Sequence, residues 1–456
     1  TIGCQMNKSD SERMASRLEQ NGYEKTDNKY QANLVVVNTC GVRQMAEDRI
    51  YGLIPEIKKV NKKAKVILTG CLVKRQDVKR RLKDYVDEWL SINEILNFPR
   101  SRQDKQFSIF KQFSNPNFQT NANTKYKNNY LKIQPKYESK FSAFVPIGNG
   151  CNNFCSYCVV PYARGREVYR LAKDVLAEVK NLVKKNYKEV TLIAQNVNSY
   201  KSGKIDFAGL LRMVNSIPGD FWIRFMTNHP KDMSDKLIKT VANCKKACYQ
   251  IHLPAQAGDD SVLKKMNRGY VKADYIKLAE KIRKQLNSSG SLVWQPPVAI
   301  TTDIIVGFPG ETKKQFNNTI KLMRKVKFDL AYIVRYSPRP GTAAFKLADN
   351  VPREEKKRRE LELIKILRKT ALENNKKYLG KIVKALVEKE SKNEEWVGKT
   401  GTNKNVKFSP FAKASEDKPI TNDKISLIGK FVDVKIIKAQ DFGLEGKIMN
   451  YESNEK

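Results

Sequence analysis

Over roughly the first hundred residues, short apolar runs alternate with helically spaced ones. Leu34-Val35-Val36-Val37 and Val66-Ile67-Leu68 read as buried parallel strands, with residues 11–20 and 43–59 as the intervening helices. This alternation predicts an α/β, Rossmann-like domain. From about residue 101 to 136 the pattern dissolves into Asn, Gln, Ser and Lys, as in a linker or surface excursion. Strand and helix units then resume. Apolar runs at 144–147, 190–193, 222–226, 249–253, 303–306 and 331–336, with a helix near 171–185, have the spacing of a partial (β/α) barrel. Residues 352–375 follow as a charged helical pattern with Leu361, Leu363, Ile364, Ile366 and Leu367 on one side. Runs at 382–387, 395–399, 406–408, 431–437 and 444–448, alternating with basic positions and glycine turns, predict a small β-barrel. The expected units are residues 1–110, an excursion at 111–136, the partial barrel at 137–375 and the small β-barrel at 376–450.

Composition adds constraints. A chain of 456 residues is too long for one core and implies two to four domains, and 40% hydrophobic residues are enough to fold them. No run of about 18 apolar residues and no charged-then-apolar leader appears, which points to a cytoplasmic protein without a membrane partner. In that compartment eight cysteines read as ligands or reactive thiols before disulfides. The chain opens at Thr1 inside an apparent motif, so a leading strand is expected to be truncated. Against 48 acidic residues stand 86 Lys and Arg, a net charge of +38. Polyanions such as nucleic acid are the natural partners of such a surface, beside the blander explanation of a lysine-rich composition bias.

The candidate chemistry lies at strand ends. Cys151, Cys155 and Cys158 form a C-x3-C-x2-C run in the loop after an extended segment. Three thiolates can grip an iron-sulfur cluster and leave one iron open, whereas a zinc finger takes two ligand pairs and a closed cluster takes four cysteines. The run alone leaves a zinc knuckle or an adventitious cluster open. Cys4, Cys40 and Cys71 each sit in a turn that follows a strand of the first domain. Parallel strands discharge such turns at one carboxyl edge, so these distant cysteines are expected to meet, unless they are merely small buried side chains. Cys244 and Cys248 are read as packing residues, and His229 and His252 as structural or supporting groups.

The C-x3-C-x2-C run resembles the signature of the radical S-adenosylmethionine (SAM) superfamily. Gly3-Cys4-Gln5-Met6-Asn7, Asn38-Thr39-Cys40, Thr69-Gly70-Cys71, Pro161-Tyr162-Ala163-Arg164-Gly165-Arg166-Glu167, His252-Leu253-Pro254-Ala255-Gln256-Ala257-Gly258 and Met266-Asn267-Arg268-Gly269-Tyr270 add to the match. So do the segments from Thr302 to Thr312 and from Tyr336 to Thr342. Together they resemble the methylthiotransferase family of radical SAM enzymes over nearly the whole chain. The Gln195–Tyr200 segment is most similar to the MiaB branch, which acts on tRNA.

That resemblance implies a methylthiotransferase domain, a radical SAM barrel and a terminal TRAM domain that binds RNA. It also implies a division of labour. Cys151, Cys155 and Cys158 would hold a 4Fe-4S cluster that cleaves SAM to a radical, and Cys4, Cys40 and Cys71 a second 4Fe-4S cluster that carries the sulfur. Gln195, Asn196, Gln256, Gly258, Asp303 and Gly307 are the expected SAM contacts, the glycines because small residues let backbone approach the nucleoside. Ala257 and Asp259 depart from the serine-rich form of that motif. Arg164, Arg166, Lys399, Thr402, Asn403, Lys404 and Lys407 are the candidate tRNA contacts. The implied reaction adds a methylthio group to C2 of N6-isopentenyladenosine beside the anticodon of tRNA, with a flavodoxin or ferredoxin as electron donor and an unidentified sulfur donor. An unactivated aromatic C–H has no acidic proton for a general base, so a radical route suits it. The alternatives are a threonylcarbamoyladenosine tRNA or a ribosomal protein as substrate, or a non-catalytic iron-sulfur or zinc protein that binds RNA.

Overall fold

The computed structural model describes residues 1–95, 129–287, 296–391, 395–409 and 426–449. In the first domain β1 (Leu34–Thr39), β2 (Lys65–Gly70) and β3 (Glu88–Trp89) form a parallel sheet in that order. Ile2 bridges Thr39 in parallel, where the leading strand was expected. Ile50, Ile54 and Ile57 recur at helical spacing on the Gln44–Val60 helix and bury against Val66, Leu68 and Val78. The first helix runs Gln5–Gln20, earlier than its apolar spacing indicates, because Cys4 caps it and the Asn7 side chain accepts the Cys4 N–H at 3.2 Å. Its first turns bury Asn7, Ser9 and Asp10, so polarity there marks a buried site and not a loop.

The central unit is built from β4 (Ser142–Pro146), β5 (Glu189–Ile193) and β6 (Trp222–Phe225), then β7 (Gln250–His252), β8 (Ala299–Val306) and β9 (Leu330–Arg335). All pair in parallel and in chain order, and an Ile223–Ala247 bridge joins the two three-stranded halves into one partial barrel. Val145, Val190, Leu192, Ile223, Ile251, Ile300 and Ile304 face the surrounding helices in one core. β8 starts four residues before the expected 303, its early part holding Thr301 and Thr302 buried in hydrogen bonds to His252 and Leu253. On the Arg353–Lys376 helix, Leu363, Leu367 and Ala371 are buried at helical spacing, whereas Leu361 is 49% exposed. Two residues from Leu363 is about 200° around a helix, so the two cannot share a face.

The last domain is a closed barrel of β10 (Ile382–Glu390), β11 (Trp396–Thr400), β12 (Asn405–Ser409), β13 (Phe431–Ala439) and β14 (Leu444–Ile448), ordered β10-β11-β12-β14-β13. Val432, Val434 and Ile436 alternate inward and Asp433 and Lys435 outward, the two-residue period of a strand with one wet face. This domain docks under the central barrel, at the amino-terminal ends of its strands. Arg224 pairs with Glu189 at 2.5 Å and donates to Thr400 O, Lys404 pairs with Asp329 at 2.7 Å, and Trp222 packs on Phe431.

Most of the expected excursion at 111–136 lies outside the described residues, as do the unit boundaries at 110 and 450. Its end does not stand off as a linker: Tyr130 and Leu131 are buried, and Lys136 N donates to Glu12 O. Among the described residues no helix is long and apolar enough to cross a membrane.

The first domain is fastened to the barrel through Glu178, which pairs with Arg13 at 3.0 Å and Arg170 at 2.6 Å and accepts from Tyr137 Oη. Glu178→Ala leaves two guanidinium groups buried without a counter-charge. It should cost about 3–5 kcal/mol, read as a lowered denaturation midpoint of the metal-free protein.

Candidate active site

Cys4, Cys40 and Cys71 come together at the carboxyl edge of the first sheet. Cys40 and Cys71 are buried, Cys4 half-buried, and all three thiols are free. Gly70 makes the approach possible: its φ is +91°, and a Cβ there would lie 2.3 Å from Thr39 O. A hydrogen bond with Cys40 pushes the Cys4 thiol down to about 6, aided by the Arg164 charge, and the same bond with burial pushes Cys40 up. Arg164 Nε donates to Cys71 Sγ at 3.3 Å.

The second triad lies in the loop after β4, at the mouth of the barrel. Gly150 (φ +87°) begins it, and a Cβ there would meet Arg166 O at 2.1 Å. Phe154 (φ +46°) is also left-handed, an uncommon state for an aromatic residue. The loop is anchored by Cys151 N to Gly165 O, Gly150 N to Gln195 Oε1 at 2.6 Å, and Ser156 N to Met266 O. Arg268 Nη1 donates to Cys155 Sγ at 3.2 Å and Arg268 Nη2 to Pro254 O, so this loop too has a buried arginine on one sulfur. Burial pushes the Cys151 thiol up and the Cys158 thiol up to about 12.

Both sets fit the groups that the resemblance implies. Each set gathers three cysteines with a buried arginine on one sulfur, and soft thiolates suit iron-sulfur clusters. Among the described residues no His, Cys, Asp and Glu side chains close up as a single-ion site. In the turns after β5 and β6 three buried polar atoms have no partner among the described residues: Asn196 Oδ1, Asn228 Oδ1 and His229 Nε2. Burial and the nearby Arg268 charge push His229 down to about 2. Its Nδ1 accepts from Lys231 N, so Nε2 carries the proton as a buried donor.

The expected SAM residues divide. Gln195 is spent on Gly150 N, while Asn196 donates to Asp232 and keeps its free oxygen. Gln256 is a buried, left-handed strand-end residue (φ +67°) whose backbone bridges β8. Asp303, half-exposed in the barrel lumen, faces His252 Nε2 at 3.4 Å. The two glycines serve packing. A Cβ on Gly258 would meet Asn318 O and Thr319 Cα at 2.6 Å, and the room left by Gly307 is filled by the Lys356 side chain. His252 is held by Thr301, and Cys244 and Cys248 are buried, Cys244 in the barrel core.

The expected tRNA contacts also divide, and three are corrected. Arg164 is buried against Asp10 and Cys71, and Thr402 and Lys404 are buried where the small barrel docks on the central one, Thr402 against Tyr378 and Thr400. Their polar groups are engaged inside the protein. Arg166 and Lys407 are exposed, Asn403 is half-buried in the turn, and Lys399 pairs with Glu388. Arg268, Asp10 and Arg339, which crosses to Glu47 and Val42 O, went unassigned from sequence. Arg268 and Arg339 lie in the Met266–Tyr270 and Tyr336–Thr342 motifs, but Asp10 carries no signal beyond a charge on a helix.

An incomplete parallel barrel with a three-cysteine loop after its first strand defines a radical SAM enzyme. Residues 145–323 match the radical SAM superfamily, residues 1–91 the uncharacterized protein family UPF0004 and residues 376–449 the TRAM domain. Among similar proteins are two named tRNA-2-methylthio-N(6)-dimethylallyladenosine synthase. That of Clostridium botulinum (strain Hall) is 41% identical over 98% of this chain and 95% of its own, and that of Clostridium tetani is 41% identical with the same coverage. A solved structure of the radical SAM methyltransferase TsrM from Kitasatospora setae aligns at TM-score 0.47 and 14% identity, over 74% of this chain and 73% of its own. The chain belongs to the tRNA-2-methylthio-N(6)-dimethylallyladenosine synthase family of radical SAM methylthiotransferases.

Gly150→Ala should leave the fold intact by circular dichroism yet lower the iron and sulfide retained at the Cys151–Cys158 loop, because the added Cβ collides with backbone that cannot yield.

Proposed function

We propose that the protein adds a methylthio group to C2 of N6-isopentenyladenosine at position 37 of tRNA, beside the anticodon. The observation that carries this reading is the Cys4, Cys40 and Cys71 triad, which stands one side chain, Arg164, away from the loop that bears Cys151, Cys155 and Cys158. A SAM-cleaving loop alone supports many reactions, whereas a second triad beside it suits sulfur insertion. When loaded, the Cys151 site supplies reductive SAM cleavage and the Cys4 site supplies the sulfur to be methylated and transferred.

The chain's own residues prepare the site. Gln195 and Arg268 hold the cysteine loop in shape, and Asn196, Asn228 and His229 offer hydrogen-bonding atoms to SAM. Gln256 and Asp303 face the same mouth. Arg166, Lys399, Asn403 and Lys407 are the remaining candidates for the anticodon stem-loop, where an unstacked base can enter a buried site. The barrel's docked underside removes Thr402 and Lys404 from that role. A flavodoxin or ferredoxin fits as reductant in the cytoplasm, and the sulfur donor is unassigned.

Anaerobic reconstitution should give two 4Fe-4S clusters and SAM-derived 5′-deoxyadenosine, and nucleoside mass spectrometry of isopentenylated tRNA should reveal its 2-methylthio product. Bound zinc with intact SAM would sink the reading, and a modified threonylcarbamoyladenosine or ribosomal protein would move it to another branch. Cys155→Ala should abolish SAM cleavage. Cys40→Ala should retain some cleavage but make no methylthio product, and product formed at the normal rate would refute the role of the Cys4, Cys40 and Cys71 triad.

A further inference from the structure

We propose that Arg164 is a positioning residue that sets the reduction potential of the cluster held by Cys4, Cys40 and Cys71, and locks that cluster to the radical-generating loop. The inference rests on the proposed second cluster. Arg164 ends the Val160–Arg164 helix, six residues after Cys158, yet its guanidinium lies in the first domain's cysteine site. Its three nitrogens go to three partners: Nε to Cys71 Sγ at 3.3 Å, Nη1 to Asn149 Oδ1 at 3.0 Å and Nη2 to Asp10 Oδ2 at 2.7 Å. The planar fork leaves little freedom once all three are engaged.

The setting makes this charge count. The Arg164 and Asp10 side chains are 5% and 1% exposed, so the pair acts through protein and not through water. Burial works against the Arg164 charge, and Asp10 with Cys71 outweighs it, so the guanidinium stays protonated. A reduced cluster carries one more negative charge than an oxidised one. An N–H donor and a positive charge at a ligating sulfur therefore favour the reduced state and raise the potential, while the Asp10 carboxylate offsets them. The two ions are expected to act with opposite sign on one cluster.

The same side chain fixes distance. Cys151 N bonds Gly165 O and Gly165 N bonds Pro161 O, which closes the stretch from Cys151 to Gly165 into one rigid piece. Arg164 projects from that piece onto Asp10 of the Gln5–Gln20 helix, which is capped by Cys4. Each triad is thus tied to the other through one residue.

The test uses the full chain carrying Cys151→Ala, Cys155→Ala and Cys158→Ala, reconstituted anaerobically so that only the first-domain triad can hold a cluster. Iron and sulfide are counted, and the midpoint potential is followed by electron paramagnetic resonance. No iron bound with Arg164 intact would overturn the cluster reading itself. With a cluster bound, Arg164→Gln should shift the midpoint to more negative values, Arg164→Lys should shift it less in the same direction, and Asp10→Asn should shift it to more positive values. If Arg164→Gln fails to retain iron, the Lys and Asp10 variants decide. Unchanged midpoints with full iron, or shifts of one sign for both the Arg164 and the Asp10 variants, would overturn the inference, because a merely structural pair cannot produce opposite signs.

Discussion

Parallel strand pairing is the constraint on which this molecule depends. A parallel sheet sends every strand the same way, so the turns at its carboxyl edge meet in space however far apart they are in sequence. The first domain uses this to bring Cys4, Cys40 and Cys71 together, and the central barrel uses it to set Gln195 against Gly150 of the cysteine loop. Neither triad can form unless register holds, and register is held by aliphatic runs such as Val66-Ile67-Leu68 buried on both faces.

Polar groups buried between domains do the rest. Glu178 between Arg13 and Arg170, Glu47 between Arg75 and Arg339, and Asp10 with Arg164 all cross or line a boundary. Each would be costly alone and is tolerable only when paired, so the domains have few ways to dock. The small barrel follows the same rule on the opposite end, with Lys404 on Asp329 and Arg224 on Glu189. Docking there leaves the strand-end mouth to the cysteine loops and the first domain.

What could be read without coordinates was what period and motif carry. Aliphatic runs located the strands of all three units, cysteine spacing located the Cys151 loop, and strand-end position grouped Cys4, Cys40 and Cys71. What failed was any inference that equated polarity with exposure. Asp10, Arg164, Thr402 and Lys404 look like surface residues in sequence but are buried: Asp10, Arg164 and Lys404 meet partners supplied by another domain, and Thr402 meets Tyr378 and Thr400 of its own barrel. Gly258 and Gly307 look like ligand-approach glycines but make room for a helix backbone and for Lys356. Leu361 has the right chemistry and the wrong angle on its helix.

The sequence by itself determined the three units, the parallel pairing of the first two and the cysteines at their strand ends, because those depend on local periodicity and on residue type. Only the tertiary structure decided which charges belong to the site and which to the surface. A charged side chain takes its role from the dielectric around it and the partner across from it, and both are set by segments distant in the chain. Arg164 is the clearest case: a basic residue in a loop by sequence, and by structure a buried side chain that reaches from the Cys151 loop to Cys71 and Asp10 of the first domain.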